Sequence, residues 1–274
     1  MIVNGDDFGL SREVNAAVIR AFKEGALTSC SLMVTGDAFE DALRLARENE
    51  RLAVGIHLVT VMGKSVLPPT EIPHLVDEKG RFSNDPTAAG LKYYFSRPAR
   101  RELAAELEAQ FEKFRSTGLR CSHIDSHLHM HVHPVIFRTA LKLGERHGVT
   151  LMRVPDDDLR LALAYDAGKS WSKAAYGFIF HLLTRGMKRT LRERKFIFTD
   201  RVYGNFQSGK MTEAYVLMVL DNLRAGAGEI YFHPALDGDR GMMELQILLS
   251  PGVKMRMKDR GIRSITPFEL EASS

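Results

Sequence analysis

The feature that most constrains the fold of this chain is the regular exchange of short apolar runs with helix-patterned stretches. Ile2-Val3-Asn4 is a brief apolar start, followed by the loop-like Gly5-Asp6-Asp7-Phe8-Gly9, and the apolar spacing from Ser11 to Val18 suits a helix. Leu27 to Val34 then reads as a strand, Asp37 to Glu50 as a helix, and Leu52 to Ile56 as a strand ending at His57. Alternation of this kind implies a parallel sheet flanked by helices.

The pattern dissolves from Thr60 to Phe95 into Pro68-Pro69, Pro73, Gly80 and Pro86, which predicts a long loop or lid. Helical periodicity returns from Arg100 to Ser116 through Leu103, Leu107, Phe111 and Phe114, with Gly118 in the usual closing position. Another strand should follow and lead into the run His123 to Pro134, then a helix from Val135 to His147 ended by Gly148. Further strands are expected at Val149 to Val154, Gly228 to Pro234 and Ser264 to Thr266. With 274 residues, 45% of them hydrophobic, the chain can build one α/β barrel without dividing. The expectation is a single domain over 1–274 with insertions at about 60–98 and 160–205. Cys30 and Cys121 are too few for a disulfide framework, and no basic stretch precedes an apolar export signal, so a cytoplasmic protein is expected.

Three predicted strands end in side chains that bind cations: Asp6-Asp7 after the first, His57 after the third, and the cluster His123 to His133 after the strand near residue 121. Strand C-termini form the site in parallel α/β folds. A carboxylate with two imidazoles and open positions for water is a recurring catalytic metal sphere. An extended backbone in the cluster would project Asp125, His127, His129 and His131 to one side, with Ile124, Leu128, Met130 and Val132 opposite. Spacing alone does not choose one imidazole among five, and a solvated His-rich loop is the bland alternative. Adjacent aspartates invite a division of labour, one on the metal and one as base. His233, at another strand end, has the side chain to protonate a leaving amine. Arg153 could orient a carboxylate or sugar hydroxyl, or pair with Asp156, Asp157 or Asp158. His74, His147 and His181 have no partners at useful spacing and are expected to be surface or packing residues.

Asn4-Gly5-Asp6-Asp7-Phe8-Gly9-Leu10, Gly55-Ile56-His57-Leu58, His123 to His131 and Phe232-His233-Pro234 together resemble the successive signatures of the YdjC-like carbohydrate deacetylases, in order across nearly the whole chain. That resemblance implies an irregular TIM-like (β/α) barrel with a mainly parallel sheet, holding one divalent ion (Zn, Mg, Mn or Co) through Asp7, His57 and His127. It further implies Asp6 as catalytic base and His233 as acid. Arg153, Asp125, His129 and His131 are expected at the substrate. The implied reaction is removal of an N-acetyl group from an amino sugar. Within the family the sequence looks closest to the hopanoid-biosynthesis-associated branch, which implies a lipid-linked N-acetylglucosamine-type substrate; a chitooligosaccharide deacetylase, a phosphoesterase or isomerase on the same barrel, and a non-catalytic sugar- or metal-binding barrel are the alternatives.

Charge is uneven along the chain. Between Arg185 and Arg201 seven basic residues face Glu193 and Asp200, a local +5, more than the formal +4 of the whole. That distribution argues against a nucleic-acid surface and for one basic patch. With Trp171, Tyr176, Phe178, Ile179, Phe180, Leu182 and Leu183 just before it, the segment has a composition suited to peripheral contact with an anionic inner membrane surface, and a buried helix followed by a solvated basic one is the alternative reading of the same residues. Oligomeric state is not legible.

Overall fold

Six strands, β1 (Ile2–Phe8), β2 (Ser29–Leu32), β3 (Ala53–Leu58), β4 (Cys121–Ser126), β5 (Arg201–Tyr203) and β6 (Gly228–Phe232), form one all-parallel sheet in the order β4-β3-β2-β1-β6-β5. The computed structural model describes residues 1–166 and 170–273, with side chains for all of these except 170–176. Each residue of β1, β2 and β3 is buried, as a sheet covered on both faces requires. The covering helices are α1 (Arg12–Glu24), α2 (Phe39–Glu48), α3 (Pro86–Phe95), α4 (Arg97–Ser116), α5 (Pro134–His147), α6 (Leu159–Tyr165), α7 (Ser170–Glu193), α8 (Glu213–Asp221), α9 (Asp239–Leu249), α10 (Pro251–Asp259) and α11 (Pro267–Ala272).

Single bridges carry the sheet past β4. Ile124 pairs with Met152, and Leu151 with Ile197, both parallel. Ile197 lies just before β5, which pairs with β6, so the succession of pairings returns to its start and the sheet curls into an irregular barrel. This is the single α/β domain with a TIM-like architecture that the alternation and the resemblance imply.

Several local expectations are corrected. Val149 to Val154 makes only bridges instead of a regular strand, because Pro155 follows without an N–H and the ladder has no further donor there. Ser264 to Thr266 is not a strand: the Ile265 N–H donates to the Met1 carbonyl, while Thr266 caps α11 in a reciprocal capping box with Glu269. Asp6 and Asp7 lie inside β1 rather than in a loop after it. The cluster beyond Ser126 is not extended either. His127–Val132 winds as 3-10 turns, with Leu128 and His129 at φ of 53° and 54°.

The stretch expected as a loop stays irregular to residue 85, and α3 follows, started by Asp85, whose carboxylate accepts from the Thr87 and Ala88 N–H groups. Two buried polar residues of α4 hold that stretch down. Gln110 bonds both the N–H and the carbonyl of Val59 at 2.9 and 2.7 Å, and the Glu106 carboxylate accepts from the N–H groups of Val66 and Leu67.

Candidate active site

Alternation along the strands decides what faces the barrel interior. Asn4 and Asp6 on β1, Ser29 and Ser31 on β2, His123 and Asp125 on β4 and Glu229 on β6 all point inward, and all but Glu229 are linked to one another by hydrogen bonds. The Asn4 amide donates to Asp6 Oδ1 and Ser31 Oγ, both at 2.8 Å, Ser29 Oγ donates to Asn4 Oδ1 at 2.6 Å, and Ser31 Oγ donates to Asp125 Oδ2 at 2.7 Å. Gly55 supplies the room for His123, since a Cβ there would fall 2.4 Å from the imidazole ring.

Arg153 fills the centre of this layer. It is wholly buried and the largest such side chain among the described residues. Its guanidinium grips Asp6 with two parallel bonds of 2.7 and 2.8 Å, reaches Asp125 Oδ2 at 2.9 Å and donates through Nε to Glu229 at 2.7 Å. None of these partners is among the aspartates at 156–158 that its sequence neighbours offer. Three buried carboxylates around one guanidinium leave excess negative charge, and a buried charge without compensation is costly. Without a cation beside it, His57 offsets part of that charge. Burial alone would lower its pKa, but the Asp125 carboxylate, bonded to Nδ1 at 2.7 Å, together with Asp7 and Asp6, raises it to about 10.

One residue breaks the alternation. Asp7 has φ of 64°, and the register of β1 against β2 shifts between Gly5 and Phe8, a bulge that re-aims the side chain at the strand end. A left-handed conformation in a non-glycine residue costs roughly 1–2 kcal/mol, least for Asp and Asn. There Asp7 Oδ1 meets His57 Nε2 at 3.2 Å and His127 Nδ1 at 2.9 Å. Burial pushes the Asp7 carboxyl up, but the bonds from His127 and His57 outweigh it and hold the group well below the usual carboxylate range. The three donor atoms lie within 4.8 Å of one another.

This trio fits a divalent cation. An Asp-His-His set is a common hard-to-borderline donor group, and the Asp125 bond to His57 Nδ1 fixes the ring so that Nε2 faces Asp7, the outer carboxylate support typical of ligating imidazoles. Asp6, His57 and Asp125 are equally close together, but both of those carboxylates already hold the Arg153 cation.

A cavity of about 840 Å³ opens above this layer, with Asp6, His129, Tyr231 and His233 in its wall. His233 is partly exposed. Burial lowers its pKa, but the Glu244 bond and the charges of Asp7 and Asp6 prevail and raise it to about 9. His129 stacks edge-on against Tyr231, its Nδ1 has no hydrogen-bond partner, and burial and then Arg153 push its pKa well below the usual imidazole value. Of the four residues expected at the substrate, only His129 lines the cavity. Arg153, Asp125 and His131 show no exposure, and His131 has Nδ1 on Ser126 Oγ and Nε2 on the Arg153 carbonyl, so their polar atoms are committed to protein instead of a sugar. A larger cavity of about 960 Å³, lined by Met1, Arg201 and Gly228, lies at the opposite ends of the strands.

Asn4, Ser31, Glu229 and Glu244 escaped the sequence reading. Glu229 carries the usable signal: an acid between apolar residues in a buried strand needs a buried cation, and Arg153 is that cation.

The sequence pattern of the YdjC-like protein family matches residues 1–259. A carbohydrate deacetylase of Brevibacillus brevis is 33% identical over 98% of this chain and 99% of its own length. A chitooligosaccharide deacetylase of Salmonella paratyphi B is 29% identical over 96% of each. Among solved structures, a putative cellobiose-phosphate cleavage protein of Enterococcus faecalis superposes with a TM-score of 0.76 and 26% identity, covering 98% of this chain and 97% of that one.

Proposed function

The chain belongs to the YdjC-like protein family, and on that footing we propose that it hydrolyses the N-acetyl group of an acetylated amino sugar, using one divalent cation on Asp7, His57 and His127. The observation that carries this reading is the convergence of those three donors from three strand ends, with His57 also close to Asp6, which is itself in the cavity wall. When bound, the cation would supply Lewis-acid polarisation of the amide oxygen and a more acidic water. Asp6, aimed by Arg153 and Asn4, takes the proton of the attacking water as general base. His233, across the cavity wall and kept protonated by Glu244, gives its proton to the departing nitrogen, so acetamide and water leave as acetate and free amine. Arg153 acts through Asp6 and does not touch substrate.

The finer reading is a lipid-linked sugar of the hopanoid type. Leu91, Tyr94 and Phe95 of α3 face Ile179, Phe180 and Leu183 of α7 across the cavity, and Phe95 is 74% exposed. The aromatic rings could stack on a sugar, while the aliphatic Leu91, Ile179 and Leu183 suit a hydrocarbon, and an exposed apolar patch of this kind commonly marks an interaction site. Phe178, Ile179 and Leu182 are exposed on α7 ahead of Arg185, Arg189 and Arg192, which supports contact with an anionic membrane. The side chains of Trp171 and Tyr176, also expected in that contact, lie outside the described residues. The name of the Salmonella relative, a chitooligosaccharide deacetylase, supports a chitooligosaccharide as the second reading.

The test is incubation of metal-replete protein with N-acetylglucosaminyl lipids and with chitooligosaccharides, following acetate release and loss of an acetyl group by mass. Deacetylation of neither substrate class sinks the proposal; turnover of the soluble sugar alone sinks the lipid reading.

A further inference from the structure

We propose that the outer surface between α4 and α5 carries a second divalent-cation site, formed by Glu108, Glu112 and His147 and suited to a borderline ion such as zinc. Glu108 and Glu112 are four residues apart on α4 and so share one helical face. His147 is the last residue of α5, where Gly148 turns the chain left-handed at φ of 69°. One donor atom from each side chain lies within 4.8 Å of the other two.

Proximity of acids is common on surfaces; the imidazole sets this place apart. The His147 side chain is only 9% exposed, its ring rests on Phe111 with centroids 5.3 Å apart, and its Nε2 is buried with no hydrogen-bond partner. That nitrogen faces Glu112 Oε1 at 3.7 Å, too far for a hydrogen bond. Zinc bonds of about 2.0–2.2 Å at tetrahedral angles put neighbouring donors roughly 3.4 Å apart, so an ion between them needs only a small shift. Leaving a buried polar atom unsatisfied is costly, and a cation would remove that penalty.

The carboxylates are arranged for it. Glu112 gives Oε2 to Arg115, which leaves Oε1 toward His147, and Glu108 gives only Oε1 to Arg146. Both arginine side chains are more than half exposed, so these pairs are weak and orient the acids more than they compete for them. An imidazole with two carboxylates favours zinc or cobalt over magnesium or calcium. The ion would brace the two helices on either side of β4, at a distance from the Asp7 centre.

The experiment counts metal. Full-length protein is stripped with a chelator, dialysed to equilibrium against micromolar zinc, and analysed for bound metal beside the variants His147→Ala and Glu112→Gln. Wild type is expected to hold one equivalent more than either variant, and that equivalent should survive in Asp7→Asn, while acetate release by the two helix variants stays at the wild-type rate. Glu112→Gln changes a partly exposed helix position and keeps the fold even if His147→Ala does not. Equal zinc in wild type and Glu112→Gln overturns the proposal, as does a surplus that disappears in Asp7→Asn.

Discussion

Replacing Arg153 with Lys keeps a positive charge in the barrel and removes the fork. The guanidinium makes four short contacts, two to Asp6, one to Asp125 and one to Glu229. A single ammonium on a flexible stem cannot span three carboxylates from one point, and it retains about two of those contacts at best. Hydrogen bonds to charged groups contribute about 1.5–3 kcal/mol each, so losing two removes roughly 3–6 kcal/mol. Against a typical domain stability of about 5–15 kcal/mol, the variant should fold but unfold at markedly lower urea. Activity should fall separately. Asp6 loses the bidentate grip that aims it, and a misplacement near 1 Å costs on the order of 10²-fold in turnover. Urea unfolding followed by circular dichroism reads the first effect, and acetate release by the folded fraction reads the second. Glu229→Gln is the control: it touches Arg153 from the other side and leaves the Asp6 bonds in place, so it should lose stability with near-normal turnover. An Arg153→Lys protein as stable as wild type, or one that turns over at the wild-type rate once folded, would refute the reasoning.

Asp6→Asn should retain the cation and lose roughly 10²–10⁴ in turnover, the usual contribution of a positioned base; Asp7→Asn should lose the cation, and bound metal measured on both variants exchanges their roles if the pattern is reversed. Because acidic neighbours raise the His233 pKa to about 9, activity that needs its proton is present below that value and declines as pH rises through it. Glu244→Gln should move this alkaline limb to lower pH, and an unmoved limb argues that His233 is not the acid. Gly55→Ala puts a methyl 2.4 Å from the His123 ring and should destabilise by about 1–3 kcal/mol, the usual penalty of overpacking, read as a lowered melting temperature.

What the sequence shows and what it hides follow from the range of the forces involved. Strands such as Ala53–Leu58 and helices such as Pro134–His147 announce themselves because their apolar period and end residues are local, and the structure places them within a few positions of the reading. The segment at 149–154 and β5 are different. One bridges for only two residues and the other is three residues long, and both exist because β4 and β6 need neighbours to close the barrel. A demand set by partners more than twenty residues away leaves β5 no period to read, and the apolar run at Val149 to Val154, which reads as a full strand, does not show that only two of its residues pair.

The same contrast runs through the site. Asp6-Asp7, His57 and the histidine cluster were legible as candidate donors because they end the first, third and fourth strands, and the resemblance alone singled out Asp7 and His127; the reason Asp7 rather than Asp6 faces the histidines is a bulge, and no residue pattern announces its φ of 64°. Period-2 alternation would have kept Asp7 on the opposite side of β1 from Asp6 and away from the strand end. The bulge lets adjacent carboxylates serve two levels of one barrel, Asp6 locked to Arg153 below and Asp7 turned to His57 and His127 at the rim. His57 joins the two levels, with Nδ1 on Asp125 and Nε2 on Asp7. A change in the buried layer therefore reaches the rim through one imidazole ring, and Asp125→Asn should loosen the cation although Asp125 is not among its ligands, an effect that outer carboxylate partners of metal-bound histidines commonly show as a roughly 10–100-fold loss of affinity. Metal affinity unchanged in that variant would mean that packing alone holds His57, and the two levels would then be independent.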